Sequence, residues 1–428
     1  MGNVYQDLKE RGFIYQVTDD DKLPAILNNE KAAFYAGFDP TADSLHVGHL
    51  LPVIAMRRLQ EAGHTPIVVV GGATALVGDP SGKQQARPIL TKETVAENAE
   101  ALRKQLARFI DFESGNAVFA NNAEWFLEMN FLDFLRDVGS RFSVNRMLAA
   151  ESVKARLETG LSYLEFSYML LQSYDFYILN KKYNCRFQIG GQDQWGNIVA
   201  GIDLVRRMSQ KEVFGATFPL LTDSAGAKFG KTAGGAVWLD PRRTSVFDYY
   251  QFWRNCDDAD VRKLLCFFTN LPVDEIETLS ALEPPALNRA KEILAYEATR
   301  LAHGTEEAVK VYKAAGSKFG FADKECKIKT TSDIINVKLD MEGLSDDLPT
   351  HTLSASELKD GAWIVQLVAN SGLAKSNGEA RRLIQGGGIY LNDERVSDIG
   401  YNLQEKDFSE RKAVLRAGKK NIRCIVLV

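Results

Sequence analysis

The chain has 428 residues, a net charge of −4 and an ordinary balance of hydrophobic and charged residues. That is the composition of a globular protein of two to four domains, and it argues against a chain that coats nucleic acid without specificity. No uninterrupted apolar run is long enough for a transmembrane helix.

The start, Met1-Gly2-Asn3-Val4-Tyr5-Gln6-Asp7, lacks the basic region and apolar core of a signal peptide. The five cysteines are scattered and form no CxxC. Reduced thiols and a cytoplasmic location are therefore expected.

Residues 1–222 alternate strand and helix patterns. Strands are predicted at 32–38, 66–72, 117–120 and 185–190. Lys92 to Ile110 places Val95, Ala99, Leu102, Leu106 and Phe109 on one helical stripe. Such alternation predicts a parallel sheet with ligands at the carboxyl ends of its strands.

After the first strand comes Pro40-Thr41-Ala42-Asp43-Ser44-Leu45-His46-Val47-Gly48-His49, followed by a helical pattern through Leu50, Val53, Ile54, Met56 and Leu59. A helix start holds phosphate well, and imidazole N–H groups there add donors. A surface pair or half of a metal site is the plainer reading of two histidines, but no cysteine or third histidine is near enough for zinc. Gly78-Asp79-Pro80-Ser81-Gly82-Lys83 is no P-loop: the earlier glycine is missing and Gln84 replaces the Ser/Thr.

In Leu164 to Leu179, Tyr168, Gln172 and Asp175 share one helix face, while the remainder is strongly apolar. That polar stripe either faces solvent or lines a polar pocket. Residues 224–235 are rich in small residues and read as a flexible loop. Residues 244–316 are helical in pattern, with Phe247, Tyr250 and Trp253 expected in a core. The polar stretch 343–360 reads as a linker. A helix over Ala362 to Ser371, a second through Ser376–Ile384, and Gly386-Gly387-Gly388 turning into a strand follow. Residues 354–428 hold twelve Lys/Arg and nine Asp/Glu, a net of +3. Their basic residues are either an RNA-binding surface or a solvated face.

The His46-Val47-Gly48-His49 run resembles the HIGH signature of class I aminoacyl-tRNA synthetases, and Lys228-Phe229-Gly230-Lys231-Thr232 resembles their KMSKS loop. Three further blocks are Tyr35 to Thr41, Gly71 to Lys83 and Gln188 to Asn197. With the two signatures, and in the expected order, they make the chain similar to bacterial-type tyrosyl-tRNA synthetases over nearly its whole length. The resemblance implies an α/β chain: a Rossmann-like doubly wound parallel-sheet catalytic domain (1–235) ending in the mobile KFGKT loop, an α-helical tRNA-binding domain (236–325), a linker (326–353) and a small α+β RNA-binding domain (354–428).

It also implies site residues. Tyr35 and Asp175 would bind the phenol hydroxyl of tyrosine; Asp79, Tyr168 and Gln172 its ammonium group; Asn122, Gln188 and Gln194 would support them. Thr41, His46, Lys83, Arg87, Lys228, Lys231 and Thr232 would act on the phosphates and the transition state, and His49 at the ribose region. Gly37, Asp39, Gly48, Gly191, Asp193 and Lys231 would hold ATP. Arg381, Arg382, Arg411, Lys412, Arg416, Lys419, Lys420 and Arg423 would meet RNA. The implied partners are L-tyrosine, ATP with Mg2+, tRNA(Tyr) and a second copy of the chain, with no protein-bound metal, DNA or membrane. The homodimer surface is expected around Trp125 to Val138, through Phe126, Phe131, Phe134 and Leu135.

Val47, Ala36, Gln192 and Phe229-Gly230 depart mildly from the commonest family pattern, and none removes a group the chemistry needs. Tryptophanyl relatives share the signatures, but Tyr35, Asp175 and the basic tail favour tyrosine. A catalytically silent RNA-binding paralogue would have lost some of His46, His49, Asp175, Lys228 or Lys231, and all are present. A nucleotide-dependent metabolic enzyme would not explain the tail.

Overall fold

The computed structural model describes residues 3–81, 90–157, 160–224, 226–232, 235–339, 348–359, 361–409, 411–418 and 421–428. The chain divides into two compact units, one of residues 1–230 with 262–276, the other of residues 231–261 with 277–428.

The first unit is built on a six-stranded sheet: β1 (Gln16–Val17), β2 (Ala33–Phe38), β3 (Thr65–Val70), β4 (Val118–Asn121), β5 (Cys185–Gly191) and β6 (Phe214–Phe218), in the order β1-β6-β5-β2-β3-β4. β2 to β6 run parallel, and β1 closes one edge antiparallel to β6. β3, Thr-Pro-Ile-Val-Val-Val, is buried along nearly its whole length, as the central strand of a doubly covered sheet must be. The sheet order reverses between β2 and β5, so their carboxyl ends, Phe38 and Gly191, flank the crevice where such a sheet takes its ligands.

All four predicted strands are present. The pattern missed β6, a short run holding two small residues, and the two-residue β1. The predicted stripe became helix Lys92–Leu106, capped by Thr91 Oγ1 on the Thr94 N–H at 3.2 Å. The polar-striped helix runs Tyr163–Tyr183. Ser162 and Glu165 form a capping box at its start, and left-handed Asn184 ends it.

In the second unit, β7 (Lys231–Thr232) and β8 (Gly235–Ala236) form a small antiparallel ladder. Helices Val246–Arg254, Leu287–His303 and Thr305–Phe319 follow, and Phe247, Tyr250 and Trp253 are buried as expected. A five-stranded sheet comprises β9 (Thr350–Leu353), β10 (Ile389–Leu391), β11 (Glu394–Arg395), β12 (Lys412–Ala417) and β13 (Asn421–Leu427), in the order β11-β10-β12-β13-β9. Helices Ile364–Asn370 and Asn377–Gln385 cover it, sharing a core of Ile364, Val368, Ala380, Ile384, Ile389, Leu415 and Ile425.

The linker reading needs correction. Thr350–Leu353 is a strand parallel to β13, and Ala355–Lys359 is a helix. Its polar side chains alternate around the buried Leu353 and hid a one-sided edge strand. The segment before it is also anchored. Ser332 Oγ donates to Glu297 Oε1 at 2.5 Å, and Asp323 accepts the N–H groups of Lys327 and Ile328.

Candidate active site

Both histidines lie after β2, His46 capping and His49 ending a 3-10 turn, Val47–His49, that precedes helix Leu50–Glu61. Their rings stack with centroids 3.9 Å apart. His46 Nδ1 accepts the Gly48 N–H at 3.0 Å, and His49 Nδ1 accepts the His46 N–H at 3.2 Å. Each Nδ1 therefore acts as an acceptor, which places the proton of either neutral ring on Nε2. A Cβ at Gly48 would stand 2.8 Å from the His46 ring, so only glycine lets this turn close. Among the described residues no cluster of His, Cys, Asp and Glu is arranged to hold a metal.

The described part of the second signature is a hairpin. Thr222 pairs with Lys228 in an antiparallel bridge, and the Phe229 N–H donates to the Leu221 carbonyl at 2.8 Å. Gly230, at φ +84°, packs on the first signature: a Cβ there would be 3.2 Å from Val47 Cβ and 3.4 Å from the Gly48 nitrogen. The side chains of Lys231 and Thr232 lie outside the described residues, as do all of Lys83, Arg87, Lys419 and Lys420.

The polar stripe of helix Tyr163–Tyr183 faces inward. Tyr168 Oη donates to Asp39 Oδ2 at 3.0 Å, and Thr74 Oγ1 donates to Asp39 Oδ1 at 2.8 Å. Burial, with Asp39 and Asp79 beside it, holds the Tyr168 phenol well above its ordinary range. Gln172 Oε1 accepts from Asn197 Nδ2 at 3.0 Å. Asp79, after β3, accepts from Gln194 Nε2 at 2.8 Å and from the Ser81 N–H at 3.0 Å. Thr41 follows Asp39 in a backbone turn, its N–H on the Asp39 carbonyl. Gly191, Asp193 and Gln194 follow β5 directly, on the other side of the switch point. A Cβ on Gly37 would meet nothing within 4 Å, so the face above β2 is open there.

Asp175 lies at the bottom, 4% exposed. Trp125 Nε1 donates to one of its oxygens at 2.8 Å and Asn122 Nδ2 to the other at 3.2 Å. Burial still outweighs those donors and pushes the carboxyl up to about 8. Tyr35, from β2, is buried with its ring against Phe176, the residue after Asp175. Burial first, and Asp175 second, raise its phenol well above its usual range. Tyr35 is in register with Gln188 of β5. The Tyr35 hydroxyl and Gln188 Oε1 are both buried without a hydrogen-bond partner among the described residues. Two such atoms, on paired residues of neighbouring strands, cost free energy unless a polar ligand meets them.

Trp125 and Asn197 escaped the sequence reading. Trp125 stands at the start of the segment expected as a subunit surface, yet it is buried under Asp175, while Phe131 and Leu132 are 64% and 72% exposed. An aromatic in an apolar run carries no signal that its N–H is needed. Asn197, three residues after Gln194, carries no signal in the sequence that its amide bridges Gln172 and Gln194.

The basic tail differs in part from expectation. Arg423 chelates Asp248, with Nη1–Oδ1 3.1 Å and Nη2–Oδ2 2.9 Å, and donates to the Ser371 carbonyl. Arg416 lies 4.1 Å over the Tyr390 ring and 3.8 Å from Asp393. Arg411 Nε donates to the Leu427 carbonyl, Arg381 lies over the Trp363 ring, and Arg382 and Lys412 lie on the second covering helix and on β12.

The ionisation of Asp175 has a thermodynamic consequence. Its carboxyl sits at about 8 folded against an ordinary 3.8. The folded chain therefore binds more protons than the unfolded one in between, and this group's contribution to stability falls as pH rises through that window. Urea unfolding of the ligand-free chain between pH 5 and 9 is expected to show a decline that Asp175→Asn flattens. Parallel profiles would remove the assignment.

A switch-point crevice, a stacked histidine turn and a second-signature hairpin resting on it define the class I aminoacyl-tRNA synthetase architecture. The profile of the tRNA synthetases class I (W and Y) matches residues 27–320, and that of the tyrosine–tRNA ligase SYY-like C-terminal domain matches residues 340–425. The chain belongs to the class I W and Y tRNA synthetase family. It is 50% identical over 421 residues to the tyrosine–tRNA ligase of Clostridium beijerinckii, covering 98% of each chain. It is 48% identical over 427 residues, the whole of both chains, to that of Clostridium botulinum. Among solved structures, a C-terminally truncated mitochondrial tyrosyl-tRNA synthetase of Aspergillus nidulans aligns with TM-score 0.65 and 33% identity, covering 73% of this chain and 93% of that one.

Proposed function

We infer that this chain is a tyrosine–tRNA ligase: it activates L-tyrosine with ATP to tyrosyl-adenylate and pyrophosphate, then passes tyrosine to the terminal ribose of tRNA(Tyr). The orphaned Tyr35 hydroxyl beside the buried carboxyl of Asp175 carries this reading. A phenol hydroxyl between them both donates and accepts, which an indole cannot do. Above it, Asp79, Tyr168 and Gln172, braced by Gln194, Asp39 and Asn197, form an oxygen-rich wall suited to an ammonium group.

The tyrosine carboxylate then attacks the α-phosphorus of ATP, and pyrophosphate leaves. The Nε2–H groups of His46 and His49 supply donors to the phosphates, and Lys228 and Lys231 supply cations where charge grows in the transition state. Asp193, after β5, accepts from ribose hydroxyls. The oxygen ligands of ATP itself suit magnesium, which arrives with the nucleotide. The basic residues of the C-terminal sheet meet tRNA phosphates, and the reaction takes place in the cytoplasm.

Pyrophosphate exchange into ATP tests the reading. It is expected with tyrosine and absent with tryptophan; exchange driven by tryptophan, or none at all, would overturn it. We further propose a homodimer through the exposed apolar surface at Phe131 and Leu132. Changing both residues to aspartate is expected to give a monomer in sedimentation at micromolar concentration. A variant that sediments like the parent would place the interface elsewhere.

A further inference from the structure

The second-signature hairpin is held at its open end by Gly230 on the Val47-Gly48 turn. The end next to its turn has a second hold. Lys263, on helix Val261–Phe268, donates from Nζ to the Thr222 carbonyl at 2.6 Å. Thr222 is the residue paired with Lys228 across the hairpin. The turn between them closes on itself: the Asp223 N–H donates to the Ala227 carbonyl, and Asp223 Oδ1 accepts the Ala227 N–H.

Residues 262–276 pack into the first unit although 31 residues separate them from residue 230. Leu264, Leu265, Cys266 and Phe268 are fully buried, and Phe267 lies edge-on to Phe13 at 5.1 Å. Beyond the helix, Arg58 Nη2 donates to the Thr269 carbonyl at 2.6 Å, and Arg11 Nη2 to the Leu271 carbonyl at 2.9 Å. Arg58 belongs to helix Leu50–Glu61, which starts directly after His49. A continuous chain of contacts thus runs from the histidine turn along that helix, through Arg58 to Thr269, back along the returning segment to Lys263, and into the hairpin at Thr222.

We propose that Lys263 is a positioning residue for the second signature: its ammonium group fixes the turn end of the hairpin so that Lys228 and the residues after it reach the phosphates in register. This rests on the activity proposed above. A charged donor on a half-buried carbonyl is among the stronger hydrogen bonds a side chain makes, and it lies on the one strand of the hairpin that does not carry the signature. None of these groups belongs to the proposed tyrosine pocket. The effect therefore belongs to the step in which ATP reacts, not to tyrosine binding.

Lys263→Met and Lys263→Arg separate positioning from folding. The methionine variant is expected to lose about tenfold in the kcat of pyrophosphate exchange, with the equilibrium Kd for tyrosine within twofold of the parent. Hydrogen exchange at the Phe229 amide should speed up relative to the amides of β2. The arginine variant should recover kcat to within about threefold. An unchanged kcat in the methionine variant would overturn the proposal. So would a tyrosine affinity that falls in step with kcat, or a methionine variant that fails to fold, since the lysine would then support the domain rather than the hairpin. If the parent chain shows no tyrosine-driven exchange, the activity itself is wrong and the hairpin is not implicated.

Discussion

Asp175→Ala is expected to lower kcat/KM for tyrosine in pyrophosphate exchange by about a thousandfold, while the KM for ATP changes by no more than about threefold. A hydrogen bond between the phenol and the buried carboxyl contributes roughly 0.5–1.5 kcal/mol, and up to about 3 kcal/mol where the carboxyl is ionised. The alanine variant also leaves the Trp125 N–H and an Asn122 N–H without an acceptor in a buried site, at about 1–3 kcal/mol each. Part of that second cost falls on the folded chain whether or not substrate is bound. About 4 kcal/mol therefore remains for the transition state, which is a factor of about a thousand. Tyr35→Phe removes one neutral partner and should cost closer to tenfold. If Asp175→Ala weakens ATP as much as tyrosine, the carboxyl does not sit where the phenol docks.

The second large effect concerns tRNA. A chain ending at residue 339 is expected to keep tyrosine-dependent pyrophosphate exchange within about threefold and to lose at least about a hundredfold in tRNA charging. The segment removed contains the +3 of residues 354–428. A few phosphate contacts at roughly 1 kcal/mol each account for that loss, which should shrink at high salt. The cut belongs after residue 339 rather than near 325. Ser332 Oγ donates to the buried carboxyl of Glu297 on helix Leu287–His303, and Asp323 accepts the N–H groups of Lys327 and Ile328, so a cut near 325 would remove these partners. Asp248 loses Arg423, but it keeps Ser245 and is a third exposed, so the remaining chain should fold. Full charging by the shortened chain would mean that the basic sheet serves another purpose.

Much of the site was legible because its residues announce themselves through chemistry that a core does not need. Two histidines at a strand end, a lysine-glycine hairpin and three polar residues on one face of an apolar helix are each costly without a partner. The sheet was legible where strands were long and apolar, as in β2 and β3. What failed to show was the supporting layer. Trp125 reads as bulk hydrophobe until its N–H is seen on Asp175. Asn197 reads as an ordinary helix residue until its amide is seen between Gln172 and Gln194. β9 hid because an edge strand buries one side chain in two. Arg416 and Arg423 carry the charge expected of an RNA surface, but charge alone does not say whether Asp393 and Asp248 or a phosphate stands opposite.

The register of β13 bears on how the chain is made. This strand lies between β12 and β9 and, among the described residues, is the strand that β9 pairs with. During synthesis Thr350–Leu353 leaves the ribosome about seventy residues ahead of Asn421–Leu427. Until the later segment emerges, β9 has no ladder to join, and the two covering helices rest on an unfinished core. The C-terminal sheet must therefore gain its structure in one late step, whereas β2 to β6 pair progressively as they appear. A nascent chain stalled before residue 421 should hold a protease-resistant first unit followed by a segment that protease still cuts.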